Sequence, residues 1–251
     1  MGHRMGQQER VARAVRASPV LGRLRAEELT KLLGPSRSVH VDRGHRFRQA
    51  HEDALTILLE GVAVASVPSP AGAEVMTRIL GPGGTTGLRV VLGQTSASID
   101  LTALTSVEAL VVPGESLRRC LGDLPALTDA CLRSLAEELA EAMDEIARFA
   151  NTTTTERVLD RLIELADAWG EPTVDGIRIT IPLTQEMLAS WARSSRESTA
   201  KVLHDLRKSD VIRTARREMH ILDPDRLRAR RGDTPAASSD ELLRSLLRSI
   251  G

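Results

Sequence analysis

The stretch LTQEMLASWARSSRESTAKVLHDLRKS, residues 183–209, leaves this chain few ways to fold. Thr184 suits the N-cap of a first short helix carrying Met187, Leu188 and Trp191. Ser194 suits the N-cap of a second, with Glu197 three residues on, at the position that closes a capping box. So short a joint between two helices predicts a helix-turn-helix. On the second helix Thr199, Val202, Leu203 and Leu206 share one face and predict an inward stripe, while Arg196, Glu197, Ala200, Lys201 and His204 fall outward. In this arrangement the second helix enters the DNA major groove, where Arg or Lys donates to guanine O6 and N7 and Glu accepts from cytosine N4. Thr and Ser hydroxyls and helix N-termini suit phosphates. The same charges also suit a solvated helix on a domain surface, with Glu197 serving only its cap. The pattern alone leaves both readings open.

Local charge favours the first. The chain is neutral, with 34 basic and 34 acidic residues, yet residues 184–231 hold twelve basic against seven acidic side chains. A neutral total therefore hides a basic module of the kind that nucleic acid attracts. GIRITIP reads as a strand leading into the two helices, and VIRTARREMHIL after them as two strands. Arg216 and Arg217 sit at the turn, where a wing reaches the phosphate backbone. With two Phe, two Trp and no Tyr, the chain lacks stacking platforms for single strands.

Upstream, the texture changes three times. Residues 7–33 alternate apolar and charged groups at helical spacing, broken by Pro19 and Gly22. Between 38 and 113 short runs (SVHV, LTILL, VAVASV, VMTRIL, IDLTAL, ALVV) predict an all-β barrel or jelly roll. Residues 115–150 return to helix, with Leu132, Leu135, Leu139, Ala142, Ile146 and Phe149 spaced 3, 4, 3, 4, 3. That heptad seam predicts a partner helix, most simply a second copy of the chain, although one stripe also suits packing on the protein's own barrel. Thr153 and Glu156 fit a capping box that restarts helix after a Thr-rich hinge. The resulting division is 1–114, 115–152, 153–231 and 232–251, the last comprising a linker and a short amphipathic helix at 239–250 suited to covering an apolar patch.

Other chemistry is not indicated. Cys120 and Cys131 form no CxxC pair and no Cys/His set has zinc spacing, so no metal site is expected. No nucleophile–base pair or Walker-type loop points to an enzyme. No apolar run approaches the ~18 residues of a membrane span, which predicts a soluble, cytoplasmic protein without a membrane partner.

The order β-roll, heptad helix, hinge and then PLTQEMLASWARSSRESTAKVLHDLRKSDVIRTARREMHILDPDRL resembles the CRP/FNR family of bacterial transcription regulators, the cAMP receptor protein and its relatives. The similarity covers about residues 18–228, with SPVLGRL, LLEGVAVA and LGPGG as marks in the first half. It implies an α+β chain with an N-terminal cyclic-nucleotide-binding-like β-roll, a long dimerisation helix and a C-terminal winged helix-turn-helix. It also implies a homodimer on an inverted repeat of double-stranded DNA, with Arg196, Glu197 and Lys201 as base readers. Thr184, Gln185, Ser195, Thr199, Arg216 and Arg217 are the phosphate-contact candidates. The loop 170–176, GEPTVDG, is a candidate contact to RNA polymerase only by its place in the family.

Departures from the family pattern are informative. Lys201 stands where Arg is common, which loses the planar fork. Arg193 stands where the turn often carries Gly, and Trp191 replaces a smaller aliphatic residue. In the roll, the family's Gly-Glu and Arg-Ser pairs fall on Gly87 with Leu88 and on Ala97 with Ser98. Ribose acceptor and phosphate counter-charge are both missing, with only Arg89 nearby, and burying a phosphate without its cation is costly. No cofactor is therefore predicted, and ordinary cAMP binding is disfavoured. The alternative is another effector, a cyclic nucleotide, cyclic dinucleotide or other anion, held by backbone N–H groups of GGTTGLR. Two cysteines are too few for an iron–sulfur cluster, and His40, His45 and His51 are haem-ligand candidates only by residue type.

Overall fold

Changes of periodicity in the sequence become changes of element in the computed structural model, which describes residues 2–48, 53–69, 74–93, 99–215 and 218–232. The chain divides into two units, Met1–Ala136 and Glu137–Gly251, with the division inside a long helix. The expected C-terminal helix at 239–250 lies outside the described residues.

The first unit opens with helices α1 (Gly2–Ala17) and α2 (Ala26–Leu33), separated at Pro19 and Gly22 as their sequence demands. Strands β1 (Arg37–Val41), β2 (Arg46–Arg48), β3 (Ala54–Glu60), β4 (Ala63–Pro68), β5 (Glu74–Leu80) and β6 (Thr85–Thr86) follow. After the single turn α3 (Leu88–Val91) come β7 (Asp100–Ala103) and β8 (Val107–Pro113), then α4 (Gly114–Asp123) and α5 (Pro125–Asn151). The strands form two antiparallel sheets, β1-β8-β3-β6 and β2-β7-β4-β5. All six expected strand runs are present. The short strands β2 and β6 were not expected, because two or three residues carry too little alternation to register.

The sheets bend at two bulges, between Leu58 and Glu60 and between Ala65 and Ser66. Gly61 turns the β3–β4 hairpin at φ +80°, where an added Cβ would run into the carbonyl of Ser106. One apolar cluster fills the roll between the sheets, with Leu58, Leu80, Leu101 and Val107. A second joins Leu21 and Leu32 of the helical end to Leu55, Ile57, Leu88, Val112, Leu117 and Leu127. Cys120 and Cys131 belong to this second cluster as free, buried thiols, and burial pushes the Cys131 thiol up to about 11.

The heptad seam on α5 needs correction. Leu132, Leu139 and Ile146 are 63%, 63% and 70% exposed, and Ala142 is open as well. Leu135 is not part of this face: it is half-buried against the core cluster around Leu127 and Cys131. Met143, 44% exposed, takes the place that Leu135 leaves, since Leu132, Leu139, Met143 and Ile146 fall within about 60° of one another around a helix of 3.6 residues per turn. Phe149 is exposed, but its ring lies under the guanidinium of Arg157 at 4.9 Å.

The second unit holds the end of α5, α6 (Thr154–Trp169), β9 (Gly170–Thr173), β10 (Gly176–Ile179), α7 (Gln185–Trp191), α8 (Arg196–Lys208), β11 (Ile212–Ala215), β12 (Glu218–Ile221) and α9 (Pro224–Arg231). Thr153 caps α6, with its hydroxyl accepting from the Glu156 N–H and the Glu156 carboxylate accepting from the Thr153 N–H, the box expected from sequence. The third sheet, β11-β12-β10-β9, is antiparallel throughout. β9 was not expected, because Pro172 demotes its run, yet as an edge strand it tolerates the missing donor.

Candidate nucleic-acid interface

The helix pair is built from two N-caps and a strained turn. Thr184 Oγ1 accepts from the Met187 N–H at 3.1 Å and starts α7. The second cap differs from the expected one. Ser195, not Ser194, starts α8, with its hydroxyl accepting from the Ser198 N–H at 3.0 Å and donating to the Ser198 hydroxyl at 2.9 Å. The shift by one residue moves Glu197 out of the box-closing position. Its exposed carboxylate is therefore not spent on a cap. Between the helices Arg193 adopts φ +49°, a left-handed conformation that costs a non-glycine residue about 1–2 kcal/mol.

The faces of α8 are as the sequence implies. Thr199, Val202, Leu203 and Leu206 are buried, and Arg196, Glu197, Ser198, Lys201 and His204 are exposed. Thr199 is thereby removed from the phosphate-contact candidates: it is 0% exposed, and its buried Oγ1 has no hydrogen-bond partner among the described residues. Ser198, the exposed hydroxyl one residue earlier, is the residue that sequence reasoning missed. Thr199 already stood on the inward stripe, so its two sequence expectations conflicted, and its burial decides for the stripe. Gln185 is exposed, and Arg216 and Arg217 lie outside the described residues. Arg196 is paired across the turn with Glu186 of α7, both side chains largely in water.

Behind the turn sits a charged cluster that sequence reasoning also missed. Arg161 is 9% exposed and stacks on Trp191 at 4.8 Å, so the bulky Trp191 serves as a cation platform as well as core. Arg161 donates to Glu164 at 2.7 Å and to Glu145 of α5, and Glu145 also pairs with Arg148 at 2.9 Å and with the Arg193 side chain at 3.4 Å. Burial alone would raise the pKa of Glu145, but hydrogen bonds and charge from Arg161 and Arg148 outweigh it and hold the carboxyl below its ordinary value. Arg157 donates to the carbonyls of Ala192, Arg193 and Thr152 at 3.0, 3.3 and 2.8 Å. These contacts satisfy the backbone of the strained turn and fix its shape. Four arginines scattered over residues 148–193 give no local pattern, which is why the cluster was invisible beforehand.

Of the expected effector residues, Gly87, Leu88 and Arg89 are among the described residues. Gly87 supplies a φ of +96° at the start of α3. Leu88, set at the family's acidic position, is 4% exposed and packs in the apolar cluster with Leu55 and Ile57, so its side chain is core and not a ligand contact. Arg89 is half-buried, and Ala97 and Ser98 lie outside the described residues. Among the described residues no group of His, Cys, Asp and Glu could hold a metal ion, and no helix is long and apolar enough to cross a membrane.

Comparison with known proteins agrees with this geometry. Residues 156–230 match the Crp-like helix-turn-helix domain, and residues 44–123 match the cyclic nucleotide-binding domain. The CRP-like cAMP-activated global transcriptional regulator of Mycobacterium tuberculosis is 30% identical over 204 residues, which are 80% of this chain and 90% of that one. In fold, the chain matches a CRP/FNR-family transcriptional regulator from Thermus thermophilus at a TM-score of 0.63, with 22% identity over 77% of this chain and 97% of the other. The c-di-GMP responsive global regulator CLP of Xanthomonas campestris matches at 0.68, with 18% identity over 78% and 99%.

Proposed function

This chain belongs to the CRP/FNR family of DNA-binding transcription regulators, and we propose that within it the protein works as a homodimer that reads an inverted repeat and does not answer to cAMP through the usual pocket. The observation that carries the DNA reading is the two-faced helix α8. Its buried stripe of Thr199, Val202, Leu203 and Leu206 anchors it, and Arg196, Glu197 and Lys201 are left outward at its N-terminal half. Arg196 and Lys201 then donate to guanine, and Glu197 accepts from cytosine. Ser195, Ser198, Thr184 and Gln185 face phosphates at the flanks, and the wing at Arg216 and Arg217 adds a further phosphate contact. The apolar stripe of Leu132, Leu139, Met143 and Ile146 on α5 supports a two-fold partner. A role in the cytoplasm, contact with RNA polymerase and the absence of catalysis belong to the same proposal, supported by likeness to the family and not by any single residue.

The cAMP reading rests on Leu88. The M. tuberculosis relative is by name cAMP-activated. In this chain a core leucine occupies the position of the ribose acceptor, so a nucleotide in the same pose meets apolar carbon. The match of residues 44–123 to the cyclic nucleotide-binding domain supports a second reading, gating by another anion in the roll.

Selection of DNA sites from random duplexes with the purified full chain tests the first reading. An inverted repeat should emerge without added ligand. Arg196→Ala and Glu197→Ala should each cost about 1–3 kcal/mol at the base pair they read and flatten preference there. Wild-type preference in both variants would remove α8 as the reader. A thermal-shift panel of cyclic mononucleotides and dinucleotides tests the second. A saturable cAMP-dependent gain in DNA affinity would overturn the reading of Leu88.

A further inference from the structure

A cleft of about 470 Å3 runs along one flank of α8, beside the exposed face that carries Arg196 and Glu197. Lys201 and Arg230 line it, with the hydroxyl residues Thr155 and Ser198, an apolar floor including Val202, and one acid, Asp205. Arg230 comes from α9, whose other arginines are engaged. Arg226 donates to the Ser209 carbonyl at 2.9 Å, Arg228 to Asp167 at 2.6 Å, and Arg231 to Asp160. Arg230 and Lys201 make no ion pair or hydrogen bond among the described residues. The protein thus fastens α9 by three arginines and presents the fourth, on a fixed helix, to the cleft shared with a base-reading candidate.

An arginine with no ion pair among the described residues, beside the hydroxyls of Thr155 and Ser198 on one concave surface, fits a phosphate. The geometry of the groove says which phosphate. An α-helix with its side chains is about 10–12 Å across and the major groove about 12 Å wide, so a helix that faces the bases brings its flanks against the sugar-phosphate strands. We propose that Arg230 holds a DNA backbone phosphate in this cleft while Lys201 at its edge reads a base, making α9 part of the DNA-binding surface. The inference rests on the DNA-reading role of α8. Asp205 on the same wall opposes the phosphate and weakens the grip on any duplex.

The test is a salt series with the full-length protein on its selected inverted repeat and on a scrambled duplex. Arg230→Gln should weaken both by the same factor and leave their ratio unchanged. It should also lower the slope of log affinity against log salt by roughly 1.8, one phosphate contact per half-site. Arg230→Lys should keep most of the slope, and Asp205→Asn should tighten both duplexes, an effect that no purely structural role for α9 produces. Wild-type slope and affinity in Arg230→Gln, while Arg196→Ala still flattens preference, would overturn the phosphate contact and spare the DNA reading. Loss of sequence preference in Arg230→Gln would overturn it by making Arg230 a base reader. Stabilisation of wild type but not Arg230→Gln by inorganic pyrophosphate, with the DNA slope unmoved, would place a free phosphate ligand there instead. If wild type and Arg196→Ala show equal lack of preference, both the reading and the phosphate contact fall.

Discussion

The roll and the winged module treat the same problem, a polar side chain at a ligand position, in opposite ways. In the roll, the position that resemblance assigns to an acid holds Leu88, which sinks into the cluster around Leu55 and Ile57. Nearby, Arg118 is consumed by a two-point pair with Asp53 and a bond to the Val91 carbonyl at 3.0 Å. In the winged module, Arg196, Glu197 and Lys201 stay in water, and Arg196 is held across the helices by an exposed pair with Glu186. At that position of the roll the side chain is core. The winged module keeps its functional side chains outside and buries a different set, around Arg161, to hold the turn in shape. Stability and recognition are separated residue by residue.

The sharpest break of this contrast acts on α5. Glutamates at Leu139 and Ile146 place like charges on a face now apolar. Sedimentation should then show monomers, and affinity for an inverted repeat should fall by ~10²-fold or more as the second half-site contact becomes independent. Next comes the roll. Leu88→Ala should cost about 2–5 kcal/mol in denaturant unfolding of the first unit, as expected of core. A cost near zero would return Leu88 to a binding surface. Third is Glu145→Gln, which should lower stability of the second unit by about 1.5–3 kcal/mol at neutral pH through loss of charged hydrogen bonds. Because the folded pKa of Glu145 is depressed, its contribution is complete above the ordinary value of 4.5 and fades as pH falls through the lower folded value. The gap between wild type and variant in thermal melts should therefore close below about pH 4.5. The smallest effect belongs to Glu186→Gln. It frees Arg196 from a solvent-exposed pair and should tighten operator binding by at most ~1 kcal/mol, read from titrations at low salt.

What the sequence revealed follows from how local each signal is. The box at Thr153 and Glu156, the cap at Thr184 and the inward stripe of α8 depend on neighbours within one or two turns, and all appear as expected. The cap of α8 was misplaced by one residue because Ser194 and Ser195 are equally good acceptors, and only the φ of Arg193 decides between them. Thr199 carried two expectations from sequence, inward stripe and phosphate contact, and its burial decides between them. Leu135 and Met143 exchanged roles because a heptad fixes which residues share a stripe but not where the protein's own core ends. The Glu145 cluster and the Arg230 cleft join residues from distant elements, α5 with α6 and α8 with α9, and leave no periodic trace.

The two thiols give the molecule one further property. Cys120 and Cys131 are the chain's only cysteines, both are buried, and burial keeps the Cys131 sulfur protonated far above neutral pH. Thiol-directed alkylating reagents should therefore pass both cysteines of the folded protein by. A single cysteine introduced at exposed His204 would be its one accessible thiol, a chemically unique address on the outward face of α8.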